Sequence, residues 1–453
     1  MFFRTKRHRG RKFLIAPNDA TVGILLTGRI GGGKTTVLRR IVLDLALQGV
    51  HFAIACAKPC ESAAYEELLA PFNPIRLSDN IIWNKLTEEM GRKGGSADNL
   101  VKFHDDLLEV ITRADNSKGE GFWRGGFSRT LKNSVELAYL AYGEDTTYQH
   151  VYDILLSAPQ DLATAASDHF RSTPCGIAIN IIGSRSPELA KPYADFWLRT
   201  FPAVGDKANG AWRSQGVDSI APFVHGPIAK LVNGKSTIST EDLLTRHTIW
   251  DYDTMTYGVG GLAFQLMLGW SCKEAVLRRT GDFEYFGLVL DEYHQFAHAE
   301  RDIAAVAMGR SQRLISIVAY QNQPVLEAAL GGGVEAQTQA KALYGTYTNK
   351  YFLNQNDQVT AEMQAMTIGQ ERKMFYGANV NQTQPQDLAW YDVLGVGAQP
   401  NFSFSQNWHY RLSPTEFMNL RTGGPEYDFM VDAIIHRGLD GFDRISISQK
   451  EQS

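Results

Sequence analysis

Residues 28–35 read GRIGGGKT, which fits GxxxxGK[ST] with Gly28, Gly33, Lys34 and Thr35 at the fixed places. Each position answers a requirement of phosphate chemistry. Glycines at 28, 31, 32 and 33 (Gly28, Gly31, Gly32, Gly33) let the backbone turn until successive N–H groups face one anion. A helix starting at the loop adds the positive end of its dipole. Lys34 has the reach for β- and γ-phosphates, and the Thr35 hydroxyl, followed by Thr36, can ligate Mg²⁺. The chemistry this predicts is the binding of ATP with Mg²⁺. The bland alternative is a glycine turn beside a surface lysine; the apolar run before the pattern and the amphipathic run after it argue against that.

Residues 288–292 read LVLDE, an apolar run that delivers two carboxylates to a strand end. The C-terminal edge of a parallel sheet is where α/β proteins bind ligands. Asp291 suits Mg²⁺, and Glu292 suits the polarisation of an attacking water. A phosphotransferase does not need the second carboxylate, so the pair favours hydrolysis. A strand followed by an ordinary acidic turn is the simpler alternative. Leu314–Ala319 reads as a further strand ending in Tyr320, Gln321 and Asn322. An amide at that tip, Gln321, is placed to sense a γ-phosphate. Between these two strands lies Met308-Gly309-Arg310-Ser311-Gln312-Arg313. Arg310 and Arg313 each have the planar, permanently charged fork that can spread over phosphate charge in a neighbouring subunit.

These side chains need a scaffold, and its elements are legible. Thr21–Leu26 reads as a buried strand, Thr35–Gln48 as a helix stopped at Gly49, and Val50–Ala55 as a second strand. That order is a βαβ unit and implies parallel strands. Four helical stretches then follow, at 100–112, 128–142, 148–157 and 161–172, without a convincing strand. Strand signals return at 248–250, 285–290, 314–319 and 350–353. The expected class is α/β: a nucleotide-binding core around a mostly parallel sheet, with an all-α insertion. The expected division is a basic arm at 1–13, core at 14–97, insertion at 98–205 and core again at 206–453. The polar stretch Asp206–Arg213 is expected to lead out of the insertion.

Composition narrows the function. The 453 residues carry 45 Lys+Arg against 49 Asp+Glu, a net charge of −4, which excludes a uniformly basic nucleic-acid coat. Arg4, Lys6, Arg7, Arg9, Arg11 and Lys12 form a basic arm, leaving 39 basic against 49 acidic residues elsewhere. Such asymmetry marks either an anionic contact or a solvated tail. No apolar core follows the arm, so it does not read as a signal peptide. Cys56, Cys60, Cys175 and Cys272 are too few for a disulfide scaffold and lack neighbouring histidines, so reduced thiols are expected and zinc is not.

The order GRIGGGKTT, all-α insertion, LVLDEYHQF, GRSQRLISIVAYQN resembles the type IV secretion coupling proteins. These are TraD/TraG-like conjugative DNA-transfer ATPases of the FtsK–HerA superfamily. Lys58-Pro59, Trp83-Asn84-Lys85-Leu86, Tyr257-Gly258 and Leu420–Pro425 fit the same resemblance. It implies a RecA-like sheet, a homo-oligomeric ring (a hexamer) with nucleotide at subunit interfaces, and DNA in the central pore. It implies Arg310 as the arginine supplied in trans and Gln321 as the sensor. Where the family has ATQ at the sensor strand, this sequence has Ala319-Tyr320-Gln321. The family's N-terminal membrane helices have no counterpart here. The expected location is therefore cytoplasmic or peripheral at the inner membrane, through a separate subunit. The expected function is an ATP-driven DNA motor whose insertion recognises a relaxase–DNA complex. An ATP-gated substrate receptor or assembly factor and a viral genome-packaging ATPase are the alternatives.

The arm supplies the first testable expectation. Deleting Met1–Lys12 should lower DNA affinity and flatten its salt dependence, each lost phosphate contact reducing the slope by ~0.7–0.9. Binding titrations at several salt concentrations measure this, and an unchanged slope would make the arm a solvated tail.

Overall fold

The computed structural model describes residues 13–59, 61–78, 80–112, 121–281, 283–380, 400–438 and 441–452. The basic cluster Met1–Lys12 and Cys60 lie outside the described residues. The strands are β1 (Ile24–Thr27), β2 (His51–Ala55), β3 (Ile75–Leu77), β4 (Thr248–Trp250), β5 (Phe286–Leu290) and β6 (Leu314–Tyr320). β7 (Asn349–Phe352), β8 (Gln370–Val380), β9 (Pro400–Tyr410), β10 (Met430–Arg437) and β11 (Phe442–Ser448) complete the set. One sheet runs in the order β11-β10-β7-β1-β6-β5-β2-β4-β3, while β8 and β9 form a separate hairpin. From β7 to β3 all pairings are parallel; β10 joins β7 antiparallel, and β11 joins β10 antiparallel.

The near-continuous apolar runs reflect burial on both faces, as a parallel sheet requires. On β6, Leu314, Val318 and Tyr320 join one core while Ile315, Ile317 and Ala319 join the other. The second core is closed by Val37, Leu38, Ile41 and Leu45 of helix Lys34–Ala46, and by Tyr65 and Leu69 of helix Glu61–Leu69. Phe264, Met267 and Leu268 of helix Thr254–Arg278, kinked at Gly258, join the first.

Between β3 and β4 the described elements are all helical. The stretch 206–213 does not lead out of this region; it is the start of helix Asp206–Val224. Asp206, Lys207, Ser214, Gln215 and Asp218 are exposed, while Trp212, Ile220 and Phe223 are buried. The close approach explains two glycines. A Cβ at Gly126 would fall 1.8 Å from the Trp212 ring, and one at Gly216 would lie 3.2 Å from Leu155. The helical run thus continues past 205, through Thr240–Leu244, up to β4. The expected single helix at 161–172 is two short ones, Leu162–Ala166 and Asp168–Arg171, each with its own side-chain N-cap at Asp161 and Ser167. Helix Pro174–Arg185 was not anticipated.

Asp432 anchors the antiparallel extension. Its buried carboxylate accepts from Arg421 Nη2 (2.7 Å), Arg444 Nη2 (2.9 Å) and Ser446 Oγ (2.6 Å). Burial alone would raise its pKa, but these donors outweigh burial and hold it well below the usual carboxylate range. A depressed folded pKa means stability that is present above the unfolded value, ~3.9, and is lost as pH falls below it. Asp432→Asn should cost about 1–2 kcal/mol at pH 7, discounted for the exposed guanidinium ends. That difference should shrink at pH 3, as urea unfolding at the two pH values measures.

Candidate active site

Strands β1, β6, β5 and β2 are adjacent and parallel, so the segments that follow them meet at one edge. The loop after β1 turns through Gly31 (φ 71°) and Gly33 (φ 88°) into helix Lys34–Ala46. A Cβ at Gly33 would lie 2.4 Å from Val431 of β10, so both backbone angle and space demand glycine there. Lys34 is 8% exposed, and its ammonium donates to the carbonyls of Gly28 (2.8 Å) and Arg29 (3.3 Å). Burial pushes its pKa down, against the pull of Glu292 and Asp291.

The loop after β5 supplies the carboxylates. Asp291 is 2% exposed, and burial followed by the charge of Glu292 raises its pKa. Thr35 Oγ1 stands 3.5 Å from Asp291 Oδ2. This hydroxyl and carboxylate are hard oxygen donors of the kind Mg²⁺ takes. Thr36 faces differently: its Oγ1 accepts from Gln449 Nε2 at 3.4 Å.

Glu292 has left-handed backbone (φ 55°, ψ 46°), rare for a side chain with a Cβ, and its N–H donates to Asp291 Oδ1 at 3.0 Å. Its carboxylate accepts from Lys58 at Oε1 and from Gln321 Nε2 at Oε2 (3.4 Å), with His294 Nδ1 3.5 Å away. Burial favours the neutral acid, but the Lys58 hydrogen bond and charge outweigh it, and the pKa is lowered. Glu61 is pushed up to about 7 by burial and by Asp291.

The structure therefore brings together Lys34, Thr35, Asp291, Glu292 and Gln321. It does not bring Arg310 to them. Arg310 is exposed after helix Ala299–Gly309, before β6 begins, on the sheet edge opposite the loop. Arg313 is occupied in the fold: it donates to the Phe283 carbonyl and lies 5.4 Å from the Tyr285 ring centroid. Sequence reasoning assigned no role at this edge to Lys58, Glu61, Asn354 or Gln355. The Asn354 carbonyl accepts from Arg29 N (2.8 Å), its side chain donates to Met418 and Leu420 carbonyls, and Gln355 Nε2 donates to Gln321 O (2.9 Å). The consecutive amides Asn354 and Gln355 after Tyr351-Phe352-Leu353 were the available signal.

Residues 286–420, which run from β5 past the β8–β9 pair and through helix Pro414–Met418, match the family described as the TraM recognition site of TraD and TraG. Over that segment the chain is similar to TraD and TraG. The unbound bacterial conjugative coupling protein TrwBdeltaN70 superposes with a TM-score of 0.63 at 13% identity, covering 95% of this chain and 86% of that one. Plasmid coupling protein TrwB in complex with ADP and Mg²⁺ gives 0.61 at 12%, covering 96% and 86%. VirB4 of Thermoanaerobacter pseudethanolicus gives 0.50 at 13%, covering 95% and 91%. At these identities the likeness is one of fold: an α/β P-loop architecture with a mostly parallel sheet, as expected. No curated protein matches the chain in sequence.

Gly33→Ala tests the loop geometry. It should destabilise the protein by about 1–3 kcal/mol and abolish nucleotide binding. Val431→Ala in the same chain should recover part of the stability, because it relieves the clash but not the backbone angle. Denaturation curves and nucleotide titration read the two effects separately.

Proposed function

We propose that this protein is an ATP-driven motor of the coupling-protein type that moves DNA or a nucleoprotein substrate. The observation that carries the reading is the convergence of Lys34, Thr35, Asp291, Glu292 and Gln321 on one sheet edge, with Arg310 exposed on the opposite edge. Lys34 and the loop N–H groups would hold the phosphates, and Thr35 with Asp291 would hold Mg²⁺. The ion would supply neutralising charge at the β- and γ-oxygens. Glu292 would orient water and take its proton as the water oxygen bonds to the γ-phosphorus and the β-γ bridge breaks. Gln321, hydrogen-bonded to Glu292, is suited to sensing the γ-phosphate.

Arg310 cannot serve the loop of its own chain from the far edge, so this reading gives it to a neighbour in a homo-oligomeric ring, with a hexamer as the expected form. A guanidinium supplied in trans is worth ~10³–10⁵ in rate in such sites. DNA would pass through the ring, and the helical region between β3 and β4 would receive a relaxase-type substrate. The match of residues 286–420 to a TraM recognition site supports a place beside a DNA-processing complex. Among the described residues no helix is long and apolar enough to cross a membrane.

Turnover with and without DNA tests the motor: DNA should stimulate it, and a flat response would favour an ATP-gated receptor. Arg310→Ala should keep nucleotide binding and lose hydrolysis. Mixing it with Glu292→Gln should restore some activity, since some interfaces then pair an intact Glu292 with an intact Arg310. Turnover independent of protein concentration, with no rescue in the mixture, would remove the ring from this reading.

A further inference from the structure

Lys58 occupies an unusual position for a lysine outside the phosphate loop. It follows β2, whose Ala55 pairs with Leu290 of β5, so the two strands end side by side. The Lys58 ammonium hydrogen-bonds Glu292 Oε1 and stands 3.8 Å from Glu61 Oε1. The carboxylates are 6% and 13% exposed, whereas the lysine side chain is 51% exposed. Glu61 Oε2 is buried and has no hydrogen-bond partner among the described residues. One flexible cation thus serves two buried carboxylates, and one of these has an unused acceptor. Lysine suits such an exchange, since its compact charge rides on four methylenes and loses no fixed fork geometry when it moves.

The contact with Glu292 works against water activation. A carboxylate that accepts from an ammonium has one oxygen occupied and is a weaker base. With Gln321 3.4 Å from the other oxygen, each oxygen of Glu292 already accepts one hydrogen bond, and water must compete with the ammonium for the stronger seat. We propose that Lys58 is a positioning residue that alternates between Glu292 and Glu61, its transfer to Glu61 releasing Glu292 to accept the proton of the attacking water. The inference rests on the reading of Glu292 as the base. No proton moves in the exchange itself: the ammonium stays charged and changes its acceptor. A triphosphate at the loop adds negative charge near Lys34 and competes for nearby cations, which links nucleotide binding to release.

The test uses full-length protein with ATP turnover and nucleotide affinity measured separately. Glu61→Gln removes the second seat, so Lys58 should remain on Glu292 and kcat should fall by about 10- to 100-fold, the worth of one charge-assisted hydrogen bond, with nucleotide Kd unchanged. Lys58→Met frees Glu292 permanently and should raise DNA-free turnover severalfold. The double variant should behave like Lys58→Met, because Glu61 matters only through the lysine; Lys58→Arg with Glu61 intact should stay switchable. Unchanged nucleotide affinity shows that each variant is folded. Additive effects, or loss of turnover in Lys58→Met, would overturn the alternation while Glu292→Gln still abolishes hydrolysis. Full turnover by Glu292→Gln would instead overturn the base assignment, and the alternation with it.

Discussion

Two adjacent acidic residues, Asp291 and Glu292, sit buried at a strand end. Buried like charges must be offset or protonated, and much of the surrounding architecture is an answer to that constraint. Lys34 approaches from the loop after β1, Lys58 from the loop after β2, and Gln321 from the end of β6. The left-handed backbone at Glu292 turns successive side chains apart, so that Asp291 faces Thr35 while Glu292 faces Lys58 and Gln321. The strain of that angle, of order 1–3 kcal/mol, is offset by the contacts it permits.

A parallel sheet is the means of collecting these groups. Each strand must be buried on both faces, so each connection crosses by way of a helix and successive strand ends emerge on the same edge. Inserting β6 between β1 and β5 separates the phosphate loop from the carboxylates by one strand, a spacing that Thr35 spans to approach Asp291. The helical region between β3 and β4 is fastened to this core by charge as well as by packing. Arg301 joins Asp106 of helix Ala97–Thr112 to Glu274 of helix Thr254–Arg278, over the ring of Trp270. Asp302, one residue on, accepts from Lys273 and from Tyr293 in the segment after β5. A movement of the helical region therefore bears on the segment that carries Glu292.

What was legible in the sequence were the features with local signatures. The loop glycines, the LVLDE strand and the apolar runs of β1, β2, β5 and β6 announce themselves by residue type and spacing, and each lies within one to three residues of its expected limits. β3 was missed because three residues with an exposed Arg76 make no pattern. β8 and β9 were missed for a different reason: among their described side chains Met374 (64%) and Phe375 (44%) on β8 and Phe404 (75%) and Trp408 (60%) on β9 are exposed, so burial imposed no alternation there. Asp206–Val224 was misjudged because its polar first turns outweigh, in a short window, the buried Trp212 and Phe223. Lys58-Pro59 carries only a resemblance and Glu61 no signal at all; the role of both lies in the strand pairing that sets them beside Glu292.

The same non-locality governs the phosphate loop, whose sequence is the most recognisable in the chain. Its pattern occupies eight residues, yet its geometry is held from elsewhere. The Arg29 N–H donates to Asn354, Asn354 is itself bonded to carbonyls at 418 and 420, and Val431 fills the space beside Gly33. Gln449 reaches Thr36 across 413 residues of sequence. β10 and β11 are thus more than an appendage to the sheet, since they supply the wall against which the loop is set. Closing contacts of such separation costs loop entropy before it returns any packing energy. The loop can therefore reach its final form only after the last strands have joined β7. Substitutions in the C-terminal strands that touch no phosphate should be felt at Lys34 through this wall.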